Sequence, residues 1–549
     1  MPEHGPLPRL TMEEGFYWTS GADGVLRMER CTSCGTWRNP PGPICAHCRS
    51  RDVEIAELSG RGMILGITVN YQQWLPDMTP PYVVVVIALE EDPDVRVTSN
   101  LIGEGALEAE VGMQVSVVFE QAEDVWLPYF ELIAGAEKLA LPAEPDPRRF
   151  VRPPISEKRY EHDAIFTGVG HSRVGRRLMV PPLSLTIDAC LAALDDAGLS
   201  IEDIDGLATY PGAGMASSGH SEGGITAVEE ALRIQPTWHL GAAETPGQAG
   251  PIQAAMMAVS AGLCRHVLCY RTVWEATFAA SGANLGAADG RVEGMMAHRL
   301  AYGAASAANW IGMCASNYFA RYGATREVLG RIAVNARTNA GRNPTAIYRD
   351  PMTMDDYFAA RMVTTPFGLF DCDVPCDGAV AIIVSAAETA GDVRCTPVRI
   401  ESVGTQITER VSWDQGTFSH EPQTMGPSAH LWTRTSLRQE DVDLALLYDG
   451  FTFNCLSWLE ALGFCEIGEA SDFIGDGSRI ALGGELPLNP HGGQLSAGRT
   501  HGFGFIAEGI HQLRGDAGAR QVEGAQVACV STGGGVPASA WLLTSMNAS

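Results

Sequence analysis

Four cysteines, Cys31, Cys34, Cys45 and Cys48, stand in the stretch RCTSCGTWRNPPGPICAHCRS with the spacing C-x2-C, ten residues, C-x2-C. Two such knuckles present four thiolates in the tetrahedral set that structural zinc takes. A site closed by four sulfurs holds a fold together and does no chemistry. Far downstream, a second group of reactive side chains gathers in glycine-rich sequence. LLYDGFTFNC places Tyr448 and Asp449 where an apolar strand (Ala445, Leu446, Leu447) breaks at Gly450. LNPHGGQLSAGRTHGFGF carries His491, Gly492, Gly493, Arg499 and His501. Strand ends that run into a glycine turn are where open α/β sheets place chemistry. Charge in such loops is costly unless it is used or solvated. The set consists of proton donors, proton acceptors and one fixed cation, around a tyrosine that is a poor acid and a poorer base at neutral pH.

The elements that must hold these groups belong to several domains. A chain of 549 residues exceeds one core, so two to four domains are expected. Residues 1–55 read as an N-terminal segment and zinc ribbon. Residues 56–142 hold the short β-branched runs GMILGITVNY, YVVVVIALEE, VRVTSNLI and MQVSVVFEQ, which predict a small barrel of the OB type. LPAEPDPRRFVRPPISEK, within 143–160, is rich in proline and charge and reads as a linker. The formal net charge of −27 argues against nucleic acid or an anionic membrane as partner, and the barrel segments lack basic–aromatic alternation. It leaves room for a phosphorylated group held by a local basic patch. MPEHGPLPRL has no apolar h-region, so no secretory leader is expected, and no run of 18 apolar residues predicts a membrane span. Ten scattered cysteines beside the quartet suit a reducing, cytoplasmic setting.

The rest of the chain is written twice. EDIDGLATY (202–210) matches EDVDLALLY (440–448), each an acidic turn followed by a buried strand, and CRHVLCYRTV pairs with AQVACVSTGG. LTIDACLAALDDAG has the apolar spacing of a helix. A duplicated α/β fold with buried sheets follows, its halves at 161–392 and 393–549.

The ribbon and barrel together, roughly residues 15 to 142, resemble the small zinc-ribbon/OB-fold proteins that accompany or are fused to thiolase-like enzymes. Residues from about 160 onward resemble the thiolase superfamily, closest to the sterol-carrier-protein-type thiolases and their lipid-transfer relatives. The carriers are DAGLSIEDIDGLATY, the stretch from ANWIGMCASNYFARYG to NPTAIYRDPMTMDDY, PCDGAVAIIVSA, LLYDGFTFNC and LNPHGGQLSAGRTHGFGFIAEGIHQLRG. The resemblance implies a five-layer αβαβα thiolase fold, a homodimer and an acyl-CoA substrate.

The thiolase nucleophile, a cysteine at a helix start, has no counterpart. The matching element is GAAETPGQAG, with Thr245, Pro246 and Gly247 in that neighbourhood and Cys190 and Cys264 in other elements. The second thiolase cysteine corresponds to Ser531, two residues after Cys529. The family's His-Asp-Cys-Phe element has become Tyr448-Asp449-Gly450-Phe451, and its Gly-His-Pro element Gly498-Arg499-Thr500, followed by His501. The pattern is similar to thiolase-like aldolases of steroid and aromatic side-chain degradation, which cleave β-hydroxyacyl-CoA thioesters to a ketone or aldehyde and a shorter acyl-CoA. In those relatives a tyrosine stands at the position of Tyr448, and a second near that of Arg499, where this chain departs.

A retro-aldol step needs a base for a hydroxyl proton, not a nucleophile, so Tyr448 is the expected base, with its pKa lowered by Arg499. His501 or Arg499 is expected to stabilise the enolate, His501 to reprotonate carbon, and Asp449 to belong to the same catalytic set. Backbone N–H groups at Gly492 and Gly493, with His491 and Gly247, are the expected oxyanion and substrate contacts. The rival readings are a non-catalytic acyl-CoA or lipid carrier or scaffold, and an acyltransferase, which requires a cysteine near residue 245. The acyl chain is open among steroid, aromatic and polyketide-like acids, and a hydratase bound through the OB-fold module is an expected partner. GHSEG (219–223) matches G-x-S-x-G but follows a flexible loop instead of a strand. Cys372 and Cys376 lack further metal ligands, and GGGVP lacks the dinucleotide context.

Overall fold

A computed structural model describes residues 4–214, 219–281, 290–410, 412, 414–533 and 537–548; most of GGGVP lies outside them. In the ribbon, β1 (Arg27–Cys31) pairs antiparallel with β2 (Trp37–Arg38) and β3 (Val53–Glu57). Cys31 Sγ lies 3.5 Å from Cys48 Sγ, Cys34 Sγ lies 3.7 Å from Cys45 Sγ, and all four sulfurs fall within 4.8 Å of one another. Sulfurs bonded to Zn2+ at about 2.3 Å stand about 3.8 Å apart at tetrahedral corners, so the quartet fits structural zinc.

The barrel strands are β4 (Arg61–Asn70), β5 (Tyr82–Leu89), β6 (Arg96–Ile102), β7 (Gln114–Ala122) and β8 (Val125–Leu132). They run in the order β4-β5-β6-β8-β7, and β7 pairs back onto β4 to close the barrel. The unbroken apolar run of β5 has a cause: Val83, Val85 and Ile87 point into the barrel core, while Val84, Val86 and Ala88 join the core of the large domain. A strand buried on both faces has no polar alternation. The contact is reciprocal, since Tyr302 of the large domain sits fully buried in the barrel core. Asn317 Nδ2 donates to the Leu65 carbonyl at 2.7 Å. The barrel is thus docked on the large domain.

The large domain is built on one nine-stranded mixed sheet. Its strands are β9 (Ala164–His171), β10 (Gly206–Thr209), β11 (Trp238–Gly241), β12 (His266–Trp274), β13 (Asp377–Ala386), β14 (Val398–Gly404), β15 (Leu444–Leu446), β16 (Val527–Thr532) and β17 (Ser539–Ser545). The order is β11-β10-β12-β13-β9-β14-β17-β16-β15. Each half has a parallel pair (β10–β12; β15–β16), then an antiparallel strand (β13; β17), and the halves meet where β9 pairs with β14. The repeat extends to side chains. Asp205 accepts from the backbone N–H of Arg265 and His266 at the start of β12, and Asp443 from those of Gln526 and Val527 at the start of β16. The same carboxylate fixes the register of the same strand pair in both copies.

The helices that bear on the site are α1 (Gly250–Ser260), α2 (Glu275–Ala280), α3 (Arg326–Ala340) and α4 (Gly502–Arg514). Among the described residues no helix is long and apolar enough to cross a membrane.

Candidate active site

Tyr448 follows β15 and is 4% exposed; its backbone N–H donates to Ser531 Oγ at 2.8 Å. Ser531, in β16, therefore ties the Tyr448 main chain to the neighbouring strand. Thr532, next to it, separates two helix starts. A side chain on Gly247 would meet Thr532 Oγ1 at 2.7 Å, and one on Gly502, the first residue of α4, would meet Thr532 Cβ at 2.5 Å. Gly247, at φ +65°, leads into α1. The sequence thus brings the N-termini of α1 and α4 together, and helix N-termini favour negative charge.

His501 caps α4 with φ +58°, a conformation sparsely populated by residues with a side chain. Two contacts hold it there: its backbone N–H donates to Gln494 Oε1 at 3.1 Å, and its Nδ1 faces Arg271 Nη2 at 2.9 Å. A guanidinium can only donate, so Nδ1 is the acceptor. Burial, then the charges of Arg271, Arg499 and His220, hold the imidazole well below its usual pKa. His501 is therefore neutral with its proton on Nε2, a donor suited to an oxyanion.

Arg499 donates from Nε to Glu275 Oε2 at 2.7 Å and from Nη1 to Asp373 Oδ1 at 3.1 Å. Glu275, first residue of α2, also lies 3.1 Å from Nε2 of the half-exposed His220. Despite burial, Asp373 and Glu275 hold the guanidinium charged. Burial lifts Asp373 to about 7, opposed by Arg499 and aided by Glu275. Tyr448 departs from expectation. Burial, then the charge of Asp373, raise its pKa, and Arg499 and the Gln494 amide only partly offset them. The phenol is neutral in the resting site. The Gln494 Nε2 is buried beside the tyrosine and makes no hydrogen bond of normal geometry among the described residues, although its amide favours the ionised phenol.

Other expected residues are positioned differently. Asp449 is fully buried; its Oδ1 accepts from the Gln494 N–H at 2.7 Å and its Oδ2 from Asn489 Nδ2 at 3.1 Å. Burial raises it to about 7. It clamps the glycine turn. Gly492 donates its N–H to the Asn489 carbonyl at 2.9 Å, and Gly493, at φ +58°, lies against the Asp449 carboxylate. The Gly492 N–H is therefore spent inside the turn and is not offered to an oxyanion. The His491 ring stands edge-on to Phe505 at 5.2 Å, on whose ring Tyr448 also packs at 6.0 Å. Burial, Arg520 and His171 push it down to about 3. Its charged neighbours are not those of Tyr448.

Asp373, Glu275, Arg271, His220 and Gln494 were not singled out from the sequence. Two lie inside motifs that resemble something else: His220 in GHSEG, and Asp373 between Cys372 and Cys376. Ser221, the serine of GHSEG, is buried and accepts from the Gly223 N–H. Arg271 carries its own signal, a charge inside the apolar strand HVLCYRTVW. It is 1% exposed, donates to the carbonyls of Tyr210 (3.0 Å), His220 and Thr272 (3.2 Å), and covers the Tyr210 ring at 5.2 Å.

No cysteine stands at the start of α1. Thr245 lies in the loop that leads into α1, its hydroxyl donating to the Gly247 carbonyl at 2.9 Å. Cys376 is the thiol against Gly498, and burial, then Glu275, raise its pKa; Cys372 is also raised, by burial and the adjacent carboxylates.

With this geometry in place, the relatives are decisive. Residues 18–54 match the family described as ChsH2, rubredoxin-like zinc ribbon domain; residues 56–120 match ChsH2, C-terminal OB-fold domain; residues 423–544 match Thiolase C-terminal domain-like. A "Steroid side-chain-cleaving aldolase" of Thermomonospora curvata is 34% identical over 390 residues, 69% of this chain and 97% of that protein. The "17-hydroxy-3-oxo-4-pregnene-20-carboxyl-CoA lyase" of Mycobacterium tuberculosis is 35% identical over 396 residues, 69% of this chain and 98% of its own. The chain belongs to the thiolase-fold aldolases. A solved "Ltp2-ChsH2(DUF35) aldolase" superposes on 71% of this aldolase and 99% of its own chain, with a TM-score of 0.63 and 33% identity. A shorter match, 32% identical over 126 residues (23% of this chain, 39% of the relative), is to a "Probable enoyl-CoA hydratase alpha subunit" of T. curvata.

Proposed function

We propose that this aldolase cleaves a β-hydroxyacyl-CoA thioester by retro-aldol chemistry, with Tyr448 as the group that takes the hydroxyl proton. The observation that carries the assignment is the surroundings of Tyr448: an ionisable carboxylate, Asp373, a fixed cation, Arg499, the amide of Gln494, and no activated thiol. As the C3 hydroxyl loses its proton to Tyr448, Asp373 receives the tyrosine's proton. The C2–C3 bond then breaks, and its electron pair enters the thioester as an enolate while C3 leaves as a ketone or aldehyde. The neutral His501 Nε2–H and the Gln494 amide donate to the enolate oxygen, beside the converging starts of α1 and α4. The proton held on Asp373 returns through Tyr448 to C2, which yields the shorter acyl-CoA and resets the site. Arg499, held by Glu275 and Asp373, positions the carboxylate and keeps its proton affinity near neutrality.

Relatives that act on a steroid CoA ester make a bulky, branched β-hydroxyacyl group the first substrate to try. Hydration of an enoyl-CoA generates such a substrate, so a hydratase is the expected physical partner of the ribbon and barrel, consistent with the hydratase-subunit likeness. We further expect a homodimer, to be read by light scattering, and a cytoplasmic location.

The test is carbonyl release from a panel of β-hydroxyacyl-CoA thioesters, beside β-ketoacyl-CoA with free CoA, for the native chain and Tyr448→Phe. Release that the substitution abolishes supports the assignment. Turnover of the ketoacyl substrate alone overturns it in favour of an acyltransferase. Binding of the esters without turnover of either favours a carrier.

A further inference from the structure

We infer that an arginine rim made by residues 173–177 and 342–349 seats the phosphates of the substrate's CoA moiety; this rests on the CoA-thioester reading above. In a chain of net charge −27, most guanidinium groups near the large domain are engaged by carboxylates, and a polyphosphate is repelled unless cation density is concentrated locally. Arg173, Arg176, Arg177, Arg342 and Arg349 are all exposed, and none has an ion-pair partner among the described residues. Other exposed arginines without one, such as Arg49 and Arg51 on the ribbon or Arg149 and Arg152 in the linker, do not border the site.

Three sets of contacts connect the rim to the reacting groups. First, the loop after β9 is fixed by Asp377. Its carboxylate accepts from the Leu178 N–H at 2.7 Å, the Thr277 N–H at 2.9 Å and the Thr277 hydroxyl at 2.6 Å. Thr277 also accepts from the Met179 N–H at 3.1 Å. Thr277 lies one half-turn from Glu275, the carboxylate that holds Arg499. Second, a side chain on Gly498 would meet Val174 and Ile347 at 3.2 and 3.1 Å, so both rim segments wall the residue preceding Arg499. Third, the Ile347 and Tyr348 N–H groups donate to the carbonyls of Ala497 and Ser496 (3.3 and 3.0 Å), and Arg176 donates to the Tyr348 hydroxyl at 2.7 Å. The two arginine segments are thereby tied to each other and to the turn that carries Gln494 and Arg499.

The rim is also preorganised. Arg177 and Met179 hold φ +55° and +53°, sparsely populated for such residues, and are kept there by the Asp377 contacts. Backbone fixed in this way lowers the cost of ordering cations around a ligand. Guanidinium groups bind phosphate oxygens in pairs, which suits the diphosphate and 3′-phosphate of CoA better than the acyl portion.

The test compares CoA, 3′-dephospho-CoA and adenosine 3′,5′-bisphosphate as ligands in calorimetric titrations of the full chain. The variants are Arg176→Gln, Arg177→Gln and Arg349→Gln, with the distant, exposed Arg438→Gln as control. Loss of one charge-assisted contact is expected to raise the Kd for CoA about tenfold, with a shallower salt dependence, while the control matches the native chain. A smaller change for dephospho-CoA than for CoA assigns that arginine to the 3′-phosphate. Unchanged Kd values in all three variants overturn the rim. Turnover of a pantetheine thioester, which lacks the nucleotide, gives the second readout. An equal fall in kcat/KM for pantetheine and CoA esters shows a structural role and also overturns it. The titrations need no turnover, so a failed rim is distinguished from a failed lyase reading, in which neither ester releases a carbonyl.

Discussion

Arg271 donates to Nδ1 of His501 across 2.9 Å, from inside a strand to the cap of a helix 230 residues later in the chain. The bond fixes the tautomer: a guanidinium offers no lone pair, so the proton resides on Nε2. The same cation, together with burial, keeps the ring neutral.

His501→Ala should lower kcat for carbonyl release by 10²- to 10³-fold, roughly the cost of one oxyanion donor, while leaving KM nearly unchanged. The decisive companion measurement is the pH profile. A neutral donor with a strongly depressed pKa does not titrate between pH 5 and 8, so the slope contributed by His501 in the native enzyme is nil and the variant keeps the native profile shape. A profile limb that vanishes with His501 refutes the neutral-donor role.

Asp373 gives the profile its expected limb. Its pKa is raised to about 7 by burial, and it must be ionised to receive a proton from Tyr448. Activity should therefore rise with pH through about 7 and level off above it. Arg499→Gln removes the cation that favours the ionised form, so the midpoint should move to higher pH. Asp373→Asn should leave a low, flat rate. The check is kcat/KM from pH 5.5 to 9 for the three proteins; a native profile flat across pH 7 assigns the proton acceptor elsewhere.

Much of this arrangement was legible in the sequence because its signals are local. The cysteine knuckles are separated by ten residues, and the acidic turns before β10 and β15 repeat almost letter for letter; Asp205 and Asp443 show why, each anchoring two N–H groups of the neighbouring strand. Tyr448, Arg499 and His501 were legible as polar groups in glycine-rich turns. Asp373, Glu275 and Arg271 were not, because their meaning is made by tertiary contact. Glu275 reads as the start of a short helix until Arg499, 224 residues away, donates to it. The pKa of Tyr448 is not legible in the sequence for a related reason. The cation near it was visible in sequence, but the carboxylate that consumes its charge and the burial of the phenol were not.

The turn at Gly493 should tolerate no side chain. Its φ is +58°, and a Cβ there would overlap the Asp449 carboxylate. The left-handed conformation alone costs an alanine about 1–2 kcal/mol, and the overlap adds to it, so Gly493→Ala should lose at least about 2 kcal/mol of unfolding free energy in denaturant titrations. Because Asp449 accepts from the Gln494 N–H, the variant should also displace the Gln494 amide and lose activity at a temperature where it remains folded. Full activity in a destabilised variant separates the turn from the site.

Thiol chemistry supplies the sharpest contrast between an aldolase and an acyltransferase on this fold. Cys376 is the thiol packed against Gly498, beside Arg499, and in an acyltransferase it would be the available replacement for a nucleophile lost from the start of α1. Its surroundings oppose that role. Burial and the charge of Glu275 disfavour the thiolate more than Arg499 favours it, and a thiol without thiolate character is a weak nucleophile. Cys376→Ala should therefore release carbonyl product within about twofold of the native rate, since the substitution removes one buried sulfur and no proton-transfer group. Iodoacetamide at neutral pH should leave activity intact in the native protein, and mass spectrometry after incubation with substrate should find no acyl adduct on Cys376. An adduct there, together with loss of turnover in the alanine variant, overturns the retro-aldol assignment and restores covalent acyl transfer.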